Sequence, residues 1–333
     1  MKKVFFFMAM ALLSVFAVAQ TNQVVWQNGK VMYSNPIPAI DSITYADEAV
    51  EQDTLHLLLP RTAIRTVYQT VINEVEKIVV VKDTIIIDKC GSKGIGEFSV
   101  SADKKVSFSK GNLQYNAKEN TWRFAENQYD YIGADNINVS STYDGWIDMF
   151  GWGTGDAPTK TERDNAEYST FVDWGSNIIG TDDVDLWRTL SKDEWDYLFN
   201  TRSNAANLWA FSTVNGVTGI ILLPDNFSTS SISWTARGDN WATNTYTAEQ
   251  WKAMEEQGAV LLPAAGNRNT TTSGIRQLNV GTICSYWSST KSETVSTYAC
   301  GLFFGTISSK LYTATNNEGN RYGGSSVRLV QDL

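Results

Sequence analysis

Histidine is nearly absent from this sequence: His56 is the only one in 333 residues. Catalysis of the Ser-His-Asp or Cys-His kind needs an imidazole that takes a proton and returns it. His56 lies in a segment of weak globular character, far from the Gly- and Trp-rich part of the chain, so that chemistry has no base. A zinc hydrolase of the HExxH type is excluded for the same reason. The phosphate cradle Gly-x-x-x-x-Gly-Lys-Ser/Thr is also missing. Gly151-Trp152-Gly153-Thr154-Gly155 and the stretch from Gly91 to Gly96 are glycine-rich, but neither follows the strand–loop–helix pattern of a dinucleotide fingerprint, and both read as turns.

Cysteine is scarce too. Cys90, Cys284 and Cys300 are too few for a disulfide scaffold and lack the paired spacing of a zinc site. Cys284 and Cys300 form a disulfide if their segments are neighbouring strands, and are two small buried thiols otherwise; both readings stay open. Basic residues are outnumbered, 27 against 36 acidic, for a formal charge of −9. A nucleic-acid binder needs a basic footprint, and none is present.

Long apolar runs are limited to the amino terminus. Lys2 and Lys3 precede an apolar stretch from Val4 to Val18, and Ala17 and Ala19 match the A-x-A pattern of a signal peptidase site. The stretch is short for a bilayer span. The expectation is a signal peptide over 1–19, cleaved before Gln20. No cysteine stands at the cleavage point, so the exported product is expected without a lipid anchor, in the periplasm, at the cell surface or outside the cell. No transmembrane segment is predicted elsewhere.

Carboxylates, in contrast, are plentiful. Asp144, Asp148, Asp182, Asp183, Asp185, Asp193, Glu194 and Asp196 include enough for a glycosidase, which needs two across a cleft, one with a raised pKa. On an acidic domain most such groups are solvated surface, caps or turns. An ion rigidifying the Asp-rich loops at 144–148 and 182–185 stays open. No cofactor is predicted, and no motif supports a structural calcium.

Along the chain, residues 20–50 read as a small β leader. Val24-Val25-Trp26, the turn pair Asn28-Gly29, and Lys30 to Tyr33 form a hairpin signal, and Ile40 to Tyr45 is a further strand. Residues 51–94 read as a stalk or linker. Ile64, Val67, Val71, Val75 and Ile78 recur at helical spacing, whereas Val79-Val80-Val81 and Ile85-Ile86-Ile87 read as extended. A self-associating helix over 62–80 therefore competes with a β-rich spacer. From 95 to 333 the texture is globular. Short strands are predicted at Phe98–Val100, Lys104–Phe108, Asn112–Tyr115, Thr121–Phe124, Gly219–Leu223, Ala259–Leu262, Tyr286–Ser289, Ala299–Phe304 and Ser326–Val330. Capping boxes at Ser191–Glu194 and Thr247–Gln250 open two helices, with Trp195, Leu198 and Phe199 on the buried face of one, and Trp251 and Met254 on that of the other. The expected class is α+β, loop-rich, with two helices and short twisted antiparallel sheets.

Several of these segments form an ordered series: Trp187-Arg188-Thr189-Leu190 with Glu194-Trp195, Leu222-Leu223-Pro224-Asp225, Leu261-Leu262-Pro263-Ala264-Ala265-Gly266, Tyr286-Trp287-Ser288-Ser289-Thr290, and Gly323-Gly324-Ser325-Ser326-Val327-Arg328-Leu329-Val330. The series resembles the Fibrobacter succinogenes major paralogous domain of exported Bacteroidetes proteins, and the stretch from Phe98-Ser99-Val100 through Gly111-Asn112-Leu113-Gln114-Tyr115 to Gly145-Trp146-Ile147-Asp148 and Gly151-Trp152-Gly153 resembles its amino-terminal part, so that the likeness covers roughly residues 95–333. The leader likewise resembles a module found on such proteins. The resemblance implies a C-type-lectin-like fold in its formylglycine-generating-enzyme variant. That fold carries both a cysteine- and copper-dependent oxidase and many binding domains, so it does not fix function. The calcium-dependent sugar signature of true C-type lectins is absent.

The stretch from Tyr286 to Arg328 also resembles the variable carboxy-terminal segment of lectin-fold proteins diversified by retroelements. That likeness implies a contact surface at Lys291, Ser292, Glu293, Thr297, Tyr298, Tyr312, Asn316, Asn317, Asn320 and Tyr322, residue types that make adaptable contacts. Eleven of the twelve tryptophans lie between Trp122 and Trp287. Trp187, Trp195, Trp251 and Trp287 read as core, and Trp146, Trp152, Trp174, Trp234 and Trp241 as better candidates for exposure. The leading expectation is thus a non-enzymatic, exported protein binding a protein or glycan ligand. A carboxylate-dependent glycan hydrolase and a structural surface-assembly protein are the alternatives.

Overall fold

The structure is a computed structural model. It describes residues 22–27, 30–36, 75–81, 84–89 and 93–333, except 239, 308 and 309. The chain divides into two units, Met1–Cys90 and Gly91–Leu333. The amino-terminal apolar run, the strand expected over 40–45, His56 and Cys90 lie outside the described residues.

In the first unit β1 (Asn22–Gln27) pairs antiparallel with β2 (Lys30–Pro36), Gln27 opposite Lys30, the register that an Asn-Gly connection predicts. A second hairpin joins β3 (Val75–Val81) to β4 (Thr84–Lys89). The helical reading fails at Val75 and Ile78, which stand in β3. Branched side chains favour extended backbone, and here Ile78 pairs with Ile87 and Val75 with Lys89 across the hairpin, overriding their 3–4 spacing. The rest of the suggested self-associating segment, 62–74, lies outside the described residues.

The second unit is mixed α+β, mostly strands, with few helices and open sheets. In chain order its strands are β5 (Ile95–Ser99), β6 (Lys105–Phe108), β7 (Leu113–Asn116), β8 (Thr121–Phe124), β9 (Trp146–Ile147), β10 (Arg188–Thr189), β11 (Trp209–Val214), β12 (Val217–Leu222), β13 (Thr245–Tyr246), β14 (Val260–Pro263), β15 (Asn267–Thr271), β16 (Gly274–Leu278), β17 (Ile283–Lys291), β18 (Tyr298–Ile307), β19 (Lys310–Asn320) and β20 (Leu329–Asp332). Helix α1 (Lys192–Asp196) runs on into a single π turn over Tyr197–Thr201, and α2 is Ala248–Glu255. Both begin with the capping box read from the sequence, Ser191 with Glu194 and Thr247 with Gln250.

The sheet β13-β11-β12-β14 is covered on both faces. Successive side chains on a strand point to opposite sides. Ile220 and Leu222 of β12, with Val260 and Leu262 of β14, therefore enter one cluster with Trp195 and Phe199. Ile221 and Leu223, with Leu261, enter a second with Trp251 and Met254. Apolar residues on both faces make these strands continuous hydrophobic runs. A third cluster gathers Trp122, Trp152, Trp174, Trp187 and Trp287 with Phe150, Leu113 and Leu329. Burying one such ring contributes on the order of 4–6 kcal/mol by area. Trp152 and Trp174, read as candidates for exposure, are fully buried.

In the sheet β10-β20-β6-β5 the last strand lies between the first strands of the unit and β10. The sheet β17-β18-β19 carries the remaining segments of interest. Cys284 faces Phe304 across β17–β18, whereas Cys300 faces Glu318 across β18–β19. Neither faces the other, and both are buried free thiols, so the disulfide reading gives way to its alternative.

Candidate functional site

Four arginines are buried among the described residues, Arg202, Arg268, Arg321 and Arg328. A guanidinium carries five donors and keeps its charge, so its burial calls for acceptors. Arg202 donates to Asp225 Oδ1 at 3.2 Å and to the carbonyls of Leu198 and Leu208. Arg321 donates to the carbonyls of Tyr298, Tyr168 and Ser296. Arg328 donates to Gln128 Oε1 and Asn112 Oδ1. Arg268 is the exception: it is 1 % exposed, and its Nε and both terminal nitrogens lack any hydrogen-bond partner.

Backbone geometry explains how that side chain is seated. Arg268 is the second residue of β15, and its N–H and C=O bond the C=O and N–H of Gly324, at 2.9 and 2.7 Å. A side-chain carbon at Gly324 would fall 2.7 Å from Arg268 Nε and 3.1 Å from Cζ. The guanidinium thus lies against a backbone position that only glycine keeps clear. The phenol of Tyr168 acts on its charge; Tyr168 too is buried, and its hydroxyl has no hydrogen-bond partner. Burial lowers the Arg268 pKa to about 10, which leaves it cationic at neutral pH.

Beside Arg268 opens a pocket of 190 Å³. Strand β15 lines it with Asn267 and Asn269, and β17 and β18 supply Ser285, Trp287 and Gly301. Strand β19 adds Asn317 and Asn320, and the turn that follows adds Tyr322, Gly324 and Ser325. Asn320 Oδ1 is held by Asn165 Nδ2 at 2.8 Å. Trp287 is fixed from behind by its Nε1–H bond to the Phe150 carbonyl at 2.7 Å. No Asp or Glu is among the described lining residues. The described walls therefore carry amides and hydroxyls and no carboxylate, while the three Arg268 nitrogens are themselves closed off from solvent.

A scan against protein-family models and searches of curated proteins and of solved structures find no match to this chain. The chemistry open to the site rests on its own residues.

Three of the residues expected to make contact, Asn317, Asn320 and Tyr322, are brought together in the pocket wall. The others are not. Lys291 closes β17, and Glu293 and Thr297 are exposed in the connection to β18. Ser292 is buried, its hydroxyl accepting from the N–H groups of Thr294 and Val295 at 3.1 and 2.8 Å. It shapes that turn and is not free for a ligand. Tyr298 is half-buried at the start of β18. Tyr312 and Asn316 lie on β19, and their side chains are outside the described residues. The expectation of contact loops needs correcting here, because Tyr312, Asn316, Asn317 and Asn320 stand on a strand.

Sequence reasoning missed Arg268. It stands two residues after the Ala264-Ala265-Gly266 motif in a polar segment, and nothing in that local pattern singles it out.

The carboxylates are spread among structural tasks. Glu194 is paired with Arg188 at 2.8 Å, Asp144 with Lys118 at 2.6 Å, and Asp182 accepts from Trp187 Nε1 at 2.7 Å. Asp196 accepts from Asn200 and Thr315. Among the described residues no group of three His, Cys, Asp or Glu is placed to hold a metal ion. A larger concavity, 420 Å³, is lined by Lys93, Glu97 and Glu256, all exposed to solvent.

Proposed function

We propose that the protein is an exported binding protein whose Gly91–Leu333 unit is a lectin-like domain holding a glycan or protein ligand over β15 and β17–β19. The observation that carries this reading is the convergence of Asn267, Asn269, Asn317, Asn320 and Tyr322 on one pocket. Amide and phenol groups on strands adapt their hydrogen bonds at low entropic cost, as paratopes do. The order of the family-like motifs supports the lectin-like fold. Export rests on Lys2, Lys3, the apolar run after them and the Ala17–Ala19 pattern. Hydrolysis by a carboxylate pair finds no support in this pocket, whose described walls contain no carboxylate.

The test is binding of the full chain to glycan and surface-protein panels, repeated with Asn317→Ala and Tyr322→Ala. Each is expected to weaken the best ligand about tenfold, equivalent to about 1.4 kcal/mol, with the melting temperature unchanged. Thr297→Ala, outside the pocket, is expected to bind as the parent does. Binding that survives both pocket substitutions would mean the contact surface lies elsewhere.

A further inference from the structure

We infer that the pocket takes an uncharged sugar, one pyranose ring of a neutral glycan, lying over the backbone at Gly319 and held at its rim by asparagine amides. This rests on the binding reading above and adds the ligand's chemistry to it.

Gly319 lines the pocket from β19, two residues after Asn317 and so on the same face of the strand. A side-chain carbon placed there would meet nothing within 4 Å, and the backbone lies outside the left-handed region that favours glycine. Neither packing nor conformation calls for glycine at 319. Two other glycines of the lining differ. A side-chain carbon at Gly301 would fall 2.4 Å from the Tyr286 carbonyl oxygen, and one at Gly324 would fall 2.7 Å from Arg268 Nε. Glycine within a strand lowers stability relative to alanine, and it marks places where a ligand comes close to the backbone. At Gly319 the space a side chain would take is left open on the pocket side.

The groups around that opening set the ligand's chemistry. Asn267 Oδ1 accepts from Asn279 Nδ2 at 3.1 Å, and Asn320 Oδ1 from Asn165 Nδ2 at 2.8 Å. With each carbonyl engaged, the amide N–H groups of Asn267 and Asn320 remain as donors. Asn269, Asn317, Ser285 and Tyr322 make no side-chain hydrogen bond among the described residues, and each can both donate and accept. A pyranose carries hydroxyls with the same double capacity all round its rim. Charge finds no counterpart here: the described lining has no Asp, Glu or Lys, and the Arg268 nitrogens are closed off. The chain's formal charge of −9 works further against an anion. Leu302 and Trp287 are buried, which leaves no apolar well for a peptide side chain. The C–H face of a sugar ring needs only a flat contact, and the backbone at Gly319 and Gly323 provides one. The volume of 190 Å³ equals that of about six liquid waters, room for one ring with the remainder of the glycan leading outward.

The test uses the full chain, with ligand-observed NMR titration and thermal melts. The neutral probes are the methyl glycosides of glucose, galactose, mannose and N-acetylglucosamine. Methyl glucuronide, protonated methyl glucosaminide and an acetylated, amidated tri-serine peptide are the alternatives. At least one neutral glycoside is expected to bind with a dissociation constant of about 5 mM, ordinary for one ring held by hydrogen bonds alone. The two charged glycosides and the peptide are expected to bind at least about tenfold more weakly, a difference of about 1.4 kcal/mol. Gly319→Ala should weaken the neutral glycoside about tenfold and melt at the parent temperature or up to about 4 °C higher. Gly319→Val, with a strand-favouring side chain, should abolish binding. Arg276→Ala removes an exposed cation that faces Asn269 across the hairpin but lies outside the described lining, and should bind as the parent does.

A charged glycoside or the peptide that binds more tightly than every neutral glycoside overturns the inference. So does neutral-glycoside binding that Gly319→Val leaves unchanged, and so does a Gly319→Ala protein that melts lower, since the fold then requires the glycine. Should Gly319→Val not fold, Gly319→Ala and Asn317→Ala give the same reading, each with about tenfold weaker binding expected. A protein partner lost on Asn317→Ala, with no neutral glycoside bound, would remove the sugar and leave the binding reading intact. Absence of binding to every glycan and protein removes both.

Discussion

Asp148 sits fully buried with its carboxylate held between two elements: Oδ2 accepts from the Ile132 N–H at 2.9 Å, and Oδ1 from Asn136 Nδ2 at 2.7 Å. Asn136 returns the contact, its Oδ1 accepting from the N–H groups of Asp148 and Met149. Burial raises the Asp148 pKa from 3.8 to about 6, more than these hydrogen bonds lower it. The sign of the stability effect follows. Below pH 4 the group is protonated in both folded and unfolded chains. Between about pH 4 and 6 the unfolded chain releases the proton and the folded one keeps it, so stability falls as pH rises and levels off above 6. A shift of about two pK units corresponds to about 3 kcal/mol. Asp148→Asn removes the titration, and loss of one hydrogen bond adds a constant offset. Urea denaturation at several pH values is therefore expected to show the variant gaining about 3 kcal/mol on the parent between pH 4 and 7. A difference that stays flat over that range would place Asp148 in a wetter environment than the structure does. At this scale legibility is uneven. Trp195 and Trp251 could be assigned to the core because a helical period surrounds each. Trp152 and Trp174 could not, because the neighbours that bury them, Phe150, Phe171 and Trp287, come from irregular segments and from a strand more than 100 residues away. Arg268 was silent for the same reason: what distinguishes it is the set of acceptors missing around it in space.

Helix starts are local objects, and both capping boxes were legible to the residue. Thr247 shows the energetics cleanly because its cap is exposed: its N–H donates to Gln250 Oε1 at 2.9 Å, and its Oγ1 accepts from the Gln250 N–H at 3.3 Å. Thr247→Ala strips one partner from the first turn of α2, and caps of this kind contribute about 1 kcal/mol. The expected result is a lower urea midpoint with an unchanged m-value; a changed m-value would mean that α2 had detached from Trp251 and Met254. Strands divide by what buries them. Those of the central sheet, β12 and β14, are apolar on both faces and stood out as Gly219–Leu223 and Ala259–Leu262. Strand β19 and the β15–β16 hairpin carry several Asn and Gly residues, which have low strand preference. They are strands because β18 and each other provide backbone partners, a tertiary fact that periodicity does not carry. Much of the candidate pocket comes from these less legible strands, which explains why Asn317 and Asn320 were marked as contact residues but assigned to loops, whereas Tyr322 does lie in the turn after β19.

The division at Cys90–Gly91 has an energetic consequence for the whole chain. Every buried cluster of the described residues draws its members from Phe98 onward. The second unit also closes on itself: β20 pairs with β6 and β10, placing Val330 opposite Phe108 and Arg188. Arg188 bonds both Glu194 and Asp332 there, and Leu333 N–H reaches the Lys105 carbonyl at 3.1 Å. The first and last strands of this unit thus share one sheet. Residues 91–333 expressed alone are therefore expected to unfold in one cooperative transition at the melting temperature of the corresponding transition in the longer chain. Calorimetry on both proteins reads this directly. A shortened protein that melts more than about 5 °C lower, roughly 1–2 kcal/mol for a unit of this size, would show that the leader and stalk supply packing to the globular unit. Removing 329–333 from the same fragment is the complementary case: it deletes Leu329 and Val330 from two different clusters and separates β10 from β6, which keeps only β5, and the expected outcome is loss of the cooperative transition altogether.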